Sequence, residues 1–480
     1  MTLVVLLTPM QAGTHGLRRE LKLRDLVLMQ VLLICSLTWT GFAAKRGSTQ
    51  IVLWLLAITF FYLPLAAVVI KLSRMMPAEG GVYQWLKEGL SPFAGYIAGW
   101  SMAVLIVCFY AAAGSTFANG IAYAAGPDGE WMAHSRLFAL SLTALACLFA
   151  FAINVCGLKV ASWLSGTGSV LMIGIFLAML YLLARAWKTG MPSAHGTLSF
   201  AWPGFSLLTL NVFTKMALGA LSGFDQCAVF SEECRKPGND VARSVFVAAP
   251  LIALMYILGT GAVLAYTSPV KVDLAAPVSQ LMQAGFGVAG AGRVLTAIGV
   301  CAFNIGHVAS MVIGIGMVAR LPMVAGWDGL LPAWWSELHP KFRTPSRAIG
   351  AVTLTLMLLG VLSSFGSGNQ EAVQMTTAVG IGSYCLVYAL LFGAILFGFR
   401  SGPWRPGAAI RLAALAAFSV ALISLILEIL PVGEVADPAL FAIKVGGTIC
   451  AVNGLGAVLY WRGARRLRSS ATIAHAGNIP

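Results

Sequence analysis

The chain has 480 residues, of which 59% are apolar and only 10% charged, with 31 Lys and Arg against 17 Asp and Glu. A soluble domain of this size needs a more polar surface, so a soluble enzyme or carrier is excluded. The net charge of +14 is spread between apolar runs and forms no patch for nucleic acid, and the nine cysteines include no CxxC pair and so suggest neither a disulfide framework nor a zinc site. Residues 1–25 read as a cytoplasmic tail: the opening apolar stretch is short and its charges follow it, the reverse of a secretory signal.

Twelve apolar runs follow, each long enough to cross about 30 Å of hydrocarbon as a helix. They lie near 26–44, 50–70, 93–125, 137–157, 161–184, 206–231, 245–267, 290–320, 347–365, 371–399, 408–430 and 439–461. The even number places both termini on one side. With that side cytoplasmic, the inner segments take most of the Lys and Arg, among them Arg18, Arg19, Lys22 and Arg24 before the first span and Arg462, Arg465, Arg466 and Arg468 after the last. The outer segments keep few, such as Lys45, Arg46 and Lys271. The positive-inside rule then predicts a multi-pass protein of the cell membrane with cytoplasmic N- and C-termini.

Two spans carry the same signature. The first contains Thr40-Gly41-Phe42 within SLTWTGFAAK, and the sixth contains Ser222-Gly223-Phe224, followed by Asp225, within ALSGFDQ. A hydroxyl, a glycine and a phenylalanine in the first span of each half predict two interrupted helices, and a carboxylate inside a span is a candidate for function. Glycine is also common in membrane helices for close packing. If the helices are broken, the freed N–H and C=O groups must line a cavity or bind something polar, because hydrocarbon offers them no partner.

Three further stretches complete a pattern: MPAEGGVYQWLKEGLSPFAGYIAGW from Met76, SGFDQCAVFSEECRKPGNDVARSV from Ser222, and ARLPMVAGWDGLLPAWWSELHPKFRTPSRAI from Ala319. In this order and at this spacing the chain resembles the permeases of the amino acid–polyamine–organocation (APC) superfamily. The resemblance implies an all-α fold of 12 transmembrane helices: a leucine-transporter-like 5+5 inverted repeat, with halves at 26–184 and 206–399, two extra helices at 400–461 and a cytoplasmic tail at 462–480. It implies transport of amino acids or related amines. It also implies that Trp39, Thr40, Gly41 and Phe42 meet the substrate's carboxylate and that Leu221, Ser222, Gly223, Phe224 and Asp225 meet its amino group. The chain departs from the family pattern in having one glycine in the first span where a pair is usual, Asp225 where a Glu is usual, and no Lys or Arg from 161 to 184, where some proton-coupled members carry a lysine.

Other polar residues lie within the spans. Asn304 and His307 share a face of the eighth, and His307 either couples protons or is a neutral core histidine bonded to a backbone carbonyl. Tyr110 and Asn119 either face the cavity or pack. Lys215 reads as snorkelling to the outer interface, and Glu428 and Lys444 as interface or helix-end residues outside the core. The cluster Glu232, Glu233, Arg235 and Lys236 reads as a gate or a solvated charged end. No Walker loop, HExxH or GxSxG occurs, so no enzyme, metal or cofactor is expected, and the partners are the bilayer and a small amino acid or amine. The expected function is a secondary transporter working by alternating access, through proton symport or exchange. The alternative is a transport-inactive sensor or partner-binding subunit of the same fold, with a channel as a third reading.

Overall fold

A computed structural model describes residues 21–76, 81–191, 197–234, 239–324, 330–363, 369–399, 406–432, 435 and 437–476. Its helices in chain order are α1 (Leu23–Ile34), α2 (Trp39–Ala44), α3 (Gln50–Ala57), α4 (Leu63–Met75), α5 (Val82–Gly89), α6 (Pro92–Ala111), α7 (Ala113–Ala125), α8 (Glu130–His134), α9 (Arg136–Cys156) and α10 (Leu158–Lys188). They continue with α11 (Leu207–Thr214), α12 (Asn239–Tyr266), α13 (Pro277–Phe286), α14 (Gly290–Val324), α15 (Ser346–Ser363), α16 (Asn369–Gly393), α17 (Ala408–Leu427) and α18 (Pro438–Ala476). Among the described residues, nine helical stretches are long and apolar enough to cross a membrane, and Leu207–Ala220 and Ser346–Leu362 are shorter apolar helices.

The helix starts follow local chemistry. Ser91, Ser135 and Ser206 each accept a backbone N–H of the following turn on their hydroxyls, and Asp437 accepts those of Ala439 and Leu440 at 2.9 and 3.1 Å. Pro92 and Pro438 fill first-turn positions that need no N–H donor. Between α3 and α4 the ladder widens into a π turn at Ile58–Tyr62, directly ahead of Pro64. A proline has no N–H and crowds the carbonyl four residues back, which accounts for the bulge.

α6 packs along α16, α10 along α14 and α1 along α12, around one continuous apolar core. Large apolar side chains also point outward: Leu137 and Phe246 are 76% exposed and Ile443 71%. In water such a surface would aggregate; facing lipid it is at home, and the chain is a multi-pass helical membrane protein.

The first span is interrupted, but not at Gly41. α1 stops at Ile34 and α2 begins at Trp39. Cys35 has φ −80° and ψ 62°, and the Ser36 N–H donates to Ile34 O at 2.8 Å. That is an inverse γ-turn, a three-residue reversal that no helix can continue through. Gly41 lies inside α2 and serves close packing: a Cβ there would sit 2.9 Å from Pro277 Cβ and 3.0 Å from its Cγ. The glycine marked a helix contact, and the break lies just upstream, at residues without a glycine.

Two other expectations are corrected. Lys215 does not snorkel, and Glu428, which does sit at a helix end as the cap of α17, is buried there and not at an interface; they form a buried ion pair, Nζ to Oε1 at 2.7 Å. Arg235 and Lys236, and the side chains of Glu232 and Glu233, lie outside the described residues, as does the tail before Leu21.

Gly41→Ala is expected to destabilise the fold by about 1–3 kcal/mol through overpacking against Pro277. Thermal unfolding of the purified protein checks this, with Gly447→Ala as the control expected to leave stability unchanged, because a Cβ at Gly447 meets nothing within 4 Å.

Candidate functional site

The sixth span breaks in the same manner as the first, with different parts. α11 passes into a π-helical segment, Lys215–Ala220; regular structure ends at Leu221, and a 3-10 helix, Gln226–Glu233, resumes the path. Gly223 has φ +117°, a conformation that suits glycine and strains any side chain.

Breaking a helix strands backbone groups, and tyrosines from neighbouring helices satisfy them. At the first break, Tyr256 on α12 donates its hydroxyl to Ile34 O at 2.6 Å. Its ring stacks on Trp54, which donates to Thr260 at 3.1 Å, so the tyrosine is held in place. At the second, the Gly223 N–H donates to the Tyr388 hydroxyl at 3.0 Å, and Tyr388 donates in turn to Asp225 Oδ1 at 2.8 Å. Tyr384, one turn earlier on α16, donates to Asp225 Oδ2. Asp225 is fully buried and both its oxygens are occupied.

Between the breaks lies a cavity of about 40 Å³ bordered by Ser36, Trp39, Tyr110, Gly219, Ser222 and Gln226, with apolar residues and no charged one completing its wall. The Ser36 hydroxyl is buried with no partner among the described residues. Ser222 and Gln226 project further polar groups into the same space. Trp39 covers this cavity: its indole lies against the backbone of Gly219, where a Cβ would come within 2.5 Å of the ring. Tyr110 is anchored by Ser310, 2.5 Å between hydroxyls. A second cavity of about 20 Å³ shares Trp39 and is lined by Thr38, Phe42, Thr116, His307 and Thr377, among others. The Thr38 hydroxyl is likewise buried without a partner among the described residues.

Of the nine predicted binding residues, the structure thus places Trp39 and Ser222 on the first cavity and Trp39 and Phe42 on the second. Thr40 donates to Leu37 O at 2.6 Å within its own turn. Leu221 and Phe224 are core residues, the latter stacked on Tyr62 at 4.8 Å. Gly41, Gly223 and Asp225 shape the walls from behind. Tyr110 reaches the first cavity and His307 the second. His307 packs among Phe109, Tyr110, Phe117 and Phe303 with ring centroids 5.5–6.2 Å away, and these ring contacts take the place of the carbonyl bond considered for it. Asn304 borders neither cavity and sits beside Gly120. Asn119 donates back to Ser115 O at 2.8 Å.

Sequence reasoning missed Ser36, Gln226, Tyr256, Tyr384 and Tyr388. One signal was available for the last two: four-residue spacing puts both hydroxyls on one face of a helix.

Two broken helices thus face one cavity with no charged residue in its lining, inside a bundle clad in apolar side chains. The amino acid permease family model matches residues 25–449, and the chain belongs to that family. It is 25% identical over 407 residues to an uncharacterized transporter of Legionella pneumophila, covering 81% of this chain and 83% of the relative. It is 21% identical to the aspartate/glutamate permease AcaP of Lactococcus lactis (69% and 70% covered) and 25% identical to the low-affinity putrescine importer PlaP of Escherichia coli K12 (62% and 66%).

Tyr388→Phe is expected to cost about 1–3 kcal/mol of stability, because it removes the hydroxyl shared by the Gly223 N–H and Asp225. The melting temperature of the purified variant should fall, while that of Tyr181→Phe, at an exposed site, should not.

Proposed function

We propose that this chain is a secondary active transporter that moves an amino acid or a related amine across the cytoplasmic membrane by alternating access. The observation that carries the proposal is the cavity between Cys35–Thr38 and Leu221–Asp225. The backbone there leaves its helices, and Ser36, Ser222 and Gln226 offer polar groups to one enclosed space. Unwound segments at the middle of a membrane are tolerated where they bind a solute. A wall with no charged side chain suits a substrate that is itself neutral overall, such as a zwitterion. The names of two relatives, a permease for acidic amino acids and an importer for a diamine, support the wider class of amine-bearing solutes.

The reading extends to topology. The nine long helices, the interrupted first span, the α11-based sixth and α15 together make twelve, in keeping with a 5+5 repeat over 26–184 and 206–399 followed by two further helices. The distribution of Lys and Arg supports cytoplasmic termini. Within the site, Trp39 acts as the cover over the bound solute, and Ser36, Ser222 and Gln226 contact it. Tyr110 flanks it, and Asp225 acts through Tyr384 and Tyr388 to hold the second break in shape. Coupling is by proton symport or by exchange.

A thermal-shift screen of the purified protein against the common amino acids and putrescine, followed by uptake in proteoliposomes, tests the proposal. A ligand at about 100 times its Kd should add about 2.7 kcal/mol of stability. Ser222→Val and Gln226→Leu should each weaken binding by about tenfold or more, the loss of one to two buried hydrogen bonds, which cuts that stabilisation to about 1.4 kcal/mol or less and lowers uptake at subsaturating solute in proportion. Binding without flux would identify a sensor instead, and full binding by both variants would remove the cavity from consideration.

A further inference from the structure

The Lys215–Glu428 pair has no part in holding the breaks. Its side chains are 6% and 0% exposed, deep in the molecule where α11 meets the end of α17. Lys215 opens the π-helical segment Lys215–Ala220, which runs directly into the break at Leu221–Asp225. Glu428 Oε1 accepts from Lys215, while Oε2 is buried and has no donor among the described residues. A third cavity, of about 10 Å³, borders both residues and the Leu430–Val432 turn that leaves α17. Phe42 and Thr377 line this cavity and also the second, and Trp39 lines both the second and the first. Three neighbouring cavities thus lie between the ion pair and the central site, each sharing an aromatic side chain of α2 with the next.

We propose that Glu428 is a proton-binding site whose occupancy is coupled to movement of the Lys215–Ala220 half-helix; the proposal rests on the transport reading above. The proton adds to a lone pair of Oε2, and the third cavity beside the pair is the route proposed for it. A carboxylate becomes a carboxylic acid, and only the attraction to Lys215 is lost. The titratable groups facing Glu428 among the described residues are Lys215 and, from α16, Cys385. α2 and α18 present Phe42 and Phe441 to the same cavity. A metal cation needs several oxygen ligands, whereas a proton needs the single lone pair that Oε2 leaves open.

The consequence follows from desolvation. The pair is tolerable inside because its charges cancel, and neutralising one partner strands a buried ammonium. Lys215 keeps its own proton by moving toward water, and it carries with it the segment that leads to Ser222 and Gln226. Proton binding at one end of the half-helix and solute binding at the other are thereby linked.

Two measurements on the lipid-reconstituted full chain test this. In an infrared titration, wild type should develop a carboxylic-acid C=O band on acidification that is missing from Glu428→Gln. Identical bands in the two proteins would overturn the proposal. In vesicles held at zero membrane potential, radiolabelled L-alanine, L-aspartate and putrescine are first tried in counterflow. For one proton per neutral solute, a one-unit pH difference should drive about a tenfold accumulation toward the alkaline side in wild type. Glu428→Gln should keep counterflow but only equilibrate; accumulation equal to wild type would overturn the proposal. Should Glu428→Gln fail to fold, the uncharged pair Lys215→Met with Glu428→Gln supplies the same comparisons. Absence of counterflow with every probe in wild type would count against the transport reading, and the infrared comparison would still decide the proton site.

Discussion

A polypeptide inside hydrocarbon can leave its helix only where other groups replace the hydrogen bonds it gives up, each worth several kcal/mol in that medium. This protein meets the requirement with tyrosine hydroxyls. Tyr256 supplies a donor to the Ile34 carbonyl at the first break, and Tyr388 supplies both an acceptor and a donor at the second. Tyrosine suits the task because its ring packs as a core residue while its tip bonds. The two breaks are thus held open by side chains from α12 and α16, and the cavity exists because those helices are packed where they are.

The charge arrangement follows from the same constraint. Asp225 stands beside the second break yet is turned away from the cavity, with Tyr384 and Tyr388 occupying both of its oxygens. Lys215 and Glu428 neutralise each other at the far end of the same half-helix. What remains to face the central space is hydroxyl, amide, aromatic and apolar. A site of this kind orients a solute through directed hydrogen bonds and leaves strong fixed charge to positions from which it can act on the moving segment. Trp39 and Phe42, close enough to touch at 5.0 Å between ring centroids, then divide the interior into compartments that small rotations of α2 would join.

Apolar runs of about twenty residues predict membrane helices because only length and hydrophobicity enter that argument, and the long helices lie where those runs do. The serines and the aspartate ahead of α6, α9, α11 and α18 mark helix starts by local hydrogen bonding, which a sequence also displays. The paired Gly-Phe signatures drew attention to the right two spans. Only the sixth, however, breaks at its glycine. In the first, the reversal falls at Cys35, since a γ-turn requires no special residue, and Gly41 answers to Pro277, which is distant in the chain.

The sequence by itself therefore determined the class: a chain too apolar for water, with breaks in its first and sixth spans and a carboxylate beside the second. Tertiary structure alone decided which polar groups are spent and which remain free. Lys215 meets Glu428 across 213 residues and Tyr388 meets Asp225 across 163, and no local pattern encodes such pairings. Ser36, Ser222 and Gln226 become the residues facing the cavity because the charged groups around them have found partners elsewhere.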